Sequence, residues 1–268
     1  DQKQAYLPGL AAGTSIGCFA LGESAGQTSA SSLTTKADGS SITGVKIPVA
    51  DGDIANFAIV VATSNKGDGA SLYIVDLDQD GVSRESITTI DPSRSHAKLT
   101  LNAANAELLG EDGRGWSHVQ AILNRAAVLF AWEQVGGCDT ALNMAKDYAM
   151  SRFAFGRPIA TYQAIKHKLA NIYVKNTLAR SNCYYGAWAI STDAEELPIA
   201  AATARVSSIQ AYYYASKENV QTHGGMGFTW EFDCQFPYRR SKLLATNIGS
   251  EATWQDKLIT AIEKQRAA

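Results

Sequence analysis

Arg152, in the string Tyr148-x-x-x-Arg152-x-x-Phe155-Gly156-Arg157-Pro158, and the run Gln221-x-His223-Gly224-Gly225-x-Gly227 hold residue types suited to gripping a diphosphate. A guanidinium offers such a group two parallel, charge-assisted hydrogen bonds, a geometry that lysine matches poorly. Glycines after a helix permit positive φ and let main-chain N–H groups approach an anionic or ribosyl oxygen, and the Gln221 amide can add a donor there. Each residue also has an ordinary role open to it. An arginine before a helix break serves as a cap or a surface charge, and a glycine pair closes a helix. His167 and His223 have no second ligand at metal spacing, so no metal site is predicted. Tyr184, Tyr185, Tyr212, Tyr213 and Tyr214 suit helix interfaces better than a ligand site.

Two kinds of element must position these groups. From Asp1 to Gly113 the chain alternates short β-branched stretches, such as Ser41 to Ile47 and Leu72 to Val75, with Gly and Asp clusters that suit turns. After Trp116, Val119, Ile122, Leu123, Ala126 and Phe130 recur at helical spacing, and the next proline is Pro158. That spacing predicts a helix of about 35 residues, about 50 Å long. Thr161 is the expected cap of a second long helix, and Pro198 opens a third that ends near His223. Glu231 to Thr246 and Thr253 to Gln265 are expected to form two shorter helices. Gly136 and Gly137 inside the first long helix are expected to admit a close helix neighbour. The predicted fold is α+β and multidomain, with a small antiparallel β barrel or sandwich over 1–112 and an up-down helical bundle over 113–268.

Composition removes several classes of function. Among 268 residues, 24 Lys and Arg nearly balance 26 Asp and Glu, which leaves no excess of positive charge for nucleic acid. Cys18, Cys138, Cys183 and Cys234 form no C-x-x-C pair and no disulfide framework, so a reducing, cytoplasmic setting is expected. The longest apolar runs, such as Phe57 to Ala62, fall far short of the ~20 residues of a membrane span, and no signal-peptide pattern opens the chain.

Three strings in order and spacing resemble the acyl-CoA dehydrogenase family: Tyr148 to Ile159 with Arg152 and Phe155-Gly156-Arg157-Pro158, Tyr162-Gln163-Ala164-Ile165-Lys166-His167-x-Leu169-Ala170, and Gln221 to Glu231. Upstream, Tyr6-Leu7-Pro8 and Phe19-Ala20-Leu21-Gly22-Glu23 are similar to the entry into that family's middle β domain. The resemblance covers nearly the whole chain and leaves out the family's N-terminal helical domain. It implies FAD as cofactor, an acyl-CoA thioester as substrate, an electron-acceptor flavoprotein as partner, and a tetrameric assembly. It further implies that Arg152, Phe155, Gln163, Gln221, Gly224 and Gly225 reach across a dimer interface to a neighbouring subunit's FAD.

The departures from the family lie elsewhere. α,β-Dehydrogenation of a thioester needs a carboxylate to take the α-proton while the β-hydride passes to flavin. Aligned backward from Leu258, Ser250 occupies the family's usual carboxylate position and Glu251 falls one residue late. The alternative family location, on the first long helix, corresponds to Leu123-Asn124-Arg125-Ala126-Ala127, which has no carboxylate. Pro48 and Ala50 stand where the family often has a tryptophan and a threonine against the flavin ring, and Gly22 replaces a hydroxyl residue. Together with Gly-Phe-Thr-Trp-Glu and Tyr238-Arg239-Arg240-Ser241-Lys242, these features are similar to subunits of actinobacterial steroid-type heterotetrameric dehydrogenases. The expected role is the less catalytic subunit of an α2β2 assembly that completes a partner's FAD site. The alternatives are a self-sufficient homo-oligomer with Glu251 as base, or a related flavoprotein such as an acyl-CoA oxidase or nitroalkane oxidase.

Overall fold

The computed structural model describes residues 1–24, 26, 28–64 and 69–267, and these divide into two compact units, Asp1–Gln120 and Ala121–Ala268. The first unit opens with a helix, α1 (Gln2–Ala12), followed by strands β1 (Gly17–Ala20), β2 (Lys36–Asp38), β3 (Ser41–Ala50) and β4 (Phe57–Ser64). Strands β5 (Ala70–Asp76), β6 (Val82–Ser86), β7 (His96–Asn105) and β8 (Glu107–Leu109) complete it. Helix α1 leads into the β unit at Tyr6-Leu7-Pro8, but it departs from the reading of residues 1–113 as short β stretches; Pro8 lies inside this helix and none of its residues is buried.

The strands form one open sheet in the order β6-β7-β3-β2-β4-β5-β8, with β1 also paired to β4. Most neighbours are antiparallel, as expected, but β1 and β2 run parallel to β4. They pair with opposite ends of it, Gly17–Ala20 against Phe57–Val60 and Lys36–Ala37 against Thr63–Ser64. Strand β4 sits centrally because Phe57, Ala58, Val60, Val61 and Ala62 are all buried, which leaves neither face for solvent. The core beneath the sheet is made by Val49, Val60, Val75, Leu99 and Leu101 with small residues between them.

The unit boundary falls inside α2 (Gly115–Ser151), the long helix that the apolar spacing predicts. A two-strand hairpin, β9 (Phe153–Ala154) and β10 (Arg157–Pro158), leads to α3 (Gln163–Ser191) and α4 (Leu197–His223), then α5 (Gln235–Leu244) and α6 (Glu251–Ala267). The fourth helix begins with Pro198 in its first turn, where a missing N–H costs nothing. Two details differ from expectation. Thr161 does not cap α3: it lies in a short turn, its Oγ1 donates to the Pro158 carbonyl at 2.7 Å, and Tyr162 precedes the helix without a side-chain cap. Residues 231–234 form turns, so the fifth helix is shorter than 231–246.

The helical core is lined largely by small residues, with Ala131, Cys138, Ala141, Ala179, Cys183, Ala204, Ala211 and Ala215 all buried. A Cβ on Gly137 would come within 2.5 Å of the Tyr212 ring, so this glycine admits the α4 aromatic, whereas one on Gly136 would meet nothing within 4 Å. The expected close approach therefore rests on one glycine of the pair.

Candidate functional site

At one end of the helical unit the last turn of α2 meets the last turn of α4. The Tyr148 ring stacks on His223 at 4.2 Å between centroids, and Phe232 closes edge-on against both. His223 is buried, with its Nδ1 2.9 Å from the Asn219 carbonyl, so it serves packing. This stack brings Arg152, one turn after Tyr148, to the same end as Gln221, Gly224 and Gly225. The Arg152 carbonyl accepts the Ile159 N–H at 2.8 Å, which folds the hairpin back on the helix.

At the hairpin tip, Phe155 and Gly156 both have positive φ, 51° and 78°, the pattern of a two-residue type I′ turn. Glycine takes that conformation freely; phenylalanine does so at a cost of about 1–2 kcal/mol. Phe155 is 98% exposed, so little packing among the described residues compensates. Tyr162 ties the hairpin to α3 by donating its hydroxyl to the Ala154 carbonyl at 2.9 Å, while the Arg157 guanidinium lies 4.2 Å above the Tyr162 ring. Gln163 then opens α3.

Arg152, Gln163 and Gln221 are exposed, and among the described residues their side chains have no hydrogen-bond or ionic partner. Gly224 has φ 61° and ψ −135°, a conformation closed to other residues, and a Cβ there or on Gly225 would meet nothing within 4 Å. Gly227, grouped with them by sequence, has a different reason: its Cβ would fall 2.4 Å from the Val220 carbonyl. Three free donors, an open glycine backbone and a strained exposed ring thus share one end of the unit. The arrangement fits the diphosphate and nucleoside end of a dinucleotide such as FAD.

Glu251 lies elsewhere, as the first residue of α6. Its Oε1 accepts the side-chain amides of Gln210 at 2.6 Å and Gln255 at 3.0 Å. It borders a cleft of about 460 Å³ whose lining includes Lys175, Gln210, Tyr213, Lys242 and Ser250, and none of the anion-gripping candidates. The Lys242 ammonium sits 3.7 Å over the Tyr213 ring. Ser250, at the position where a carboxylate was sought, caps α6: its Oγ accepts the Thr253 N–H at 3.2 Å. Tyr212 fills a helix interface as expected, but Tyr213 and Tyr214 line the cleft. Gln210, Tyr213 and Tyr214 fall at i, i+3 and i+4 on α4, a signal of a shared face available in the sequence.

In the β unit, Gly22 and the Ile47–Pro48 stretch are near neighbours. Gly22 accepts the Ile47 N–H at 2.8 Å, and a Cβ on it would lie 3.0 Å from the Ile47 carbonyl, so a hydroxyl side chain there requires the strand to shift. Next to it, Glu23 accepts the fully buried Lys46 ammonium at 2.7 Å, the Thr34 N–H and hydroxyl, and the Thr35 N–H. Burial alone would raise the Glu23 pKa; these bonds overturn it and bring it down to about 2. Pro48 and Ala50 offer no side-chain donor to a flavin ring.

The chain is similar to several known proteins. The family description "Acyl-CoA dehydrogenase, C-terminal domain" matches residues 113–261. Acyl-CoA dehydrogenase IpdE2 of Mycobacterium tuberculosis is 33% identical over 243 residues, 89% of this chain and 68% of that protein. The human mitochondrial short-chain specific acyl-CoA dehydrogenase is 29% identical over 91% of this chain and 62% of its own length. A variant of the Tcur3481-Tcur3483 steroid ACAD superposes with a TM-score of 0.87 at 27% identity, covering 100% of this chain and 72% of that one. The chain therefore spans about two thirds of the length of its relatives. With the β sheet, the helical unit and these matches together, the chain belongs to the acyl-CoA dehydrogenase family, a family of oxidoreductases that use FAD.

Proposed function

We propose that this chain is a subunit of an FAD-dependent acyl-CoA dehydrogenase that lends its helical end to the cofactor of a homologous partner in an α2β2 assembly. The observation that supports the reading is the set of unpartnered groups at the end of α2 and α4. Arg152 would hold the diphosphate bidentately, Gln163 and Gln221 would add amide donors, and Gly224 and Gly225 would present main-chain N–H groups. Phe155, held at positive φ, would cover an apolar or aromatic part of the same ligand. When bound, FAD supplies the acceptor for the β-hydride of the acyl thioester. In this assignment residues 1–112 act as the middle β domain and 113–268 as the helical domain. The flavin-ring side of this chain's own β unit lacks hydroxyl donors at Gly22, Pro48 and Ala50, and the base comes from the partner.

Substrate class and setting follow from the same reading. The likeness to a steroid ACAD favours an acyl-CoA with a bulky, steroid-type side chain. Electrons leave through an acceptor flavoprotein, in the cytoplasm. No helix among the described residues is long and apolar enough to cross a membrane.

Flavin content tests the proposal. Expressed alone the chain should carry little or no FAD, and with its partner about one FAD per heterodimer. Arg152→Ala should then lower flavin retention with the assembly intact. Full flavin loading of a homo-oligomer overturns the half-site reading. A second reading is favoured by one observation, that Glu251 borders a cleft of about 460 Å³. There Glu251 itself takes the α-proton, and Glu251→Gln should abolish turnover with flavin still bound; unchanged turnover removes that reading.

A further inference from the structure

Arg205, midway along α4, is fully buried and takes no part in the site described above. Its guanidinium donates to Gln134 Oε1 on α2 at 2.7 Å, to the carbonyl of Leu244 at the end of α5, and to Asn247 Oδ1 at 2.7 Å in the α5–α6 turn. Among the described residues, no carboxylate forms an ion pair with it. Glu133, the acid whose charge it feels, is bonded to Arg240. Burial pushes the Arg205 pKa down to about 10, so it remains a cation at neutral pH. A buried cation held by neutral dipoles carries a desolvation cost. What the guanidinium adds is a rigid fork of donors able to join three elements, including the negative end of the α5 dipole.

Five residues further along the same helix, Gln210 donates to the Glu251 carboxylate at 2.6 Å. One helix therefore holds both ends of the segment 244–251. Between those points the turn is otherwise held by short-range bonds from the Thr246, Asn247 and Gly249 N–H groups to nearby carbonyls, by the Ser250 cap, and by Ile248 packing against the core around Trp254.

We infer that Arg205 and Gln210 form a two-point clamp that sets the position of the α5–α6 turn, and through it the Glu251 carboxylate at the cleft. Arg205 is a positioning residue: it acts through the Leu244 carbonyl and Asn247 and touches no substrate. The clamp stands on geometry alone; its effect on turnover rests on the reading of Glu251 as base.

Hydrogen exchange on the full chain, in the assembly in which it purifies, tests the clamp without substrate. Arg205→Lys keeps the charge but not the fork, and should speed exchange of the amides at 245–250 about tenfold, with the centres of α2 and α3 unchanged. Asn247→Ala, which removes a single surface-proximal acceptor, should give a smaller rise in the same peptide and keeps the test open where an Arg205 variant fails to fold. Wild-type protection in Arg205→Lys, or a rise spread evenly over all helices, overturns the clamp. In an assembly that turns over an acyl-CoA, Arg205→Lys should lower kcat about tenfold with KM little changed, because misplacing a reacting group costs rate more than binding. Faster local exchange with unchanged kcat would leave the clamp standing and remove Glu251 as the base it serves.

Discussion

Lys46 in the β unit and Arg205 in the helical unit are both fully buried, but their partners differ in kind. Lys46 meets the carboxylate of Glu23, itself saturated by Thr34 and Thr35, whereas the hydrogen-bond acceptors of Arg205 among the described residues are neutral amide and carbonyl oxygens, with the Phe130 ring 5.9 Å away. The difference extends to the surface. The β unit turns the Glu23 and Lys46 side chains inward, tying the chain at Glu23 to strand β3, while the helical unit leaves Arg152, Gln163 and Gln221 without partners among the described residues. A buried ion pair secures a fold; exposed donors at a helix end without partners in the chain are free to meet water, a ligand or another chain.

The sharpest way to break this comparison is Glu23→Gln. It leaves the Lys46 ammonium buried without a counter-charge and should cost about 3–5 kcal/mol in urea unfolding. A loss under about 1 kcal/mol would mean that the pair is not what secures the loop. Acid probes the same carboxylate. Glu23 is depressed from 4.5 to about 2, so its contribution is complete above pH 4.5 and is lost as pH falls from there through 2. The depression corresponds to roughly 3 kcal/mol at most, and burial of Lys46, whose pKa is pulled down, offsets part of it. Stability curves between pH 5 and 2 should show this slope in the native chain and lose it in Glu23→Gln.

Arg205→Met should cost less than Glu23→Gln, about 1–3 kcal/mol, because it strands neutral acceptors and no charge. An equal or larger loss would erase the distinction between the two buried cations. Within the helical unit, Gly137→Ala should destabilise by about 1–3 kcal/mol through its clash with Tyr212, while Gly136→Ala gains up to ~1 kcal/mol; thermal melts of the two variants should move in opposite directions. The smallest effect is expected at Phe155→Gly, which relieves the positive φ and should leave stability unchanged or higher by about 1 kcal/mol. Flavin retention in the assembly should nonetheless fall. Unaltered flavin content would assign Phe155 to some other contact.

Much of the helical unit was legible in the chain because its signals are local. Apolar spacing marked the long helix, Pro158 and Pro198 marked breaks, and Gly224 marked the end of α4. Helix α1 was not legible, since Pro8 argues against a helix and no apolar face supports one. Thr161 was misread as a cap because its hydroxyl is taken by the Pro158 carbonyl instead. A shared role for Arg152, Gln163 and Gln221 was expected only from resemblance; spacing alone does not say that Tyr148 stacks on His223, a contact across 75 residues of chain.

Residue types and local order determined the two kinds of secondary structure, the breaks between helices and the presence of donors suited to a diphosphate. Tertiary structure alone decided which charges are buried, since Lys46 and Arg205 look like ordinary surface cations until the sheet and the helices close over them. It also decided that Glu251 and the Arg152 end occupy separate places in the helical unit. The physical reason is that burial and hydrogen-bond satisfaction depend on neighbours far along the chain, whereas periodicity, capping and turn preference depend on neighbours within a few residues.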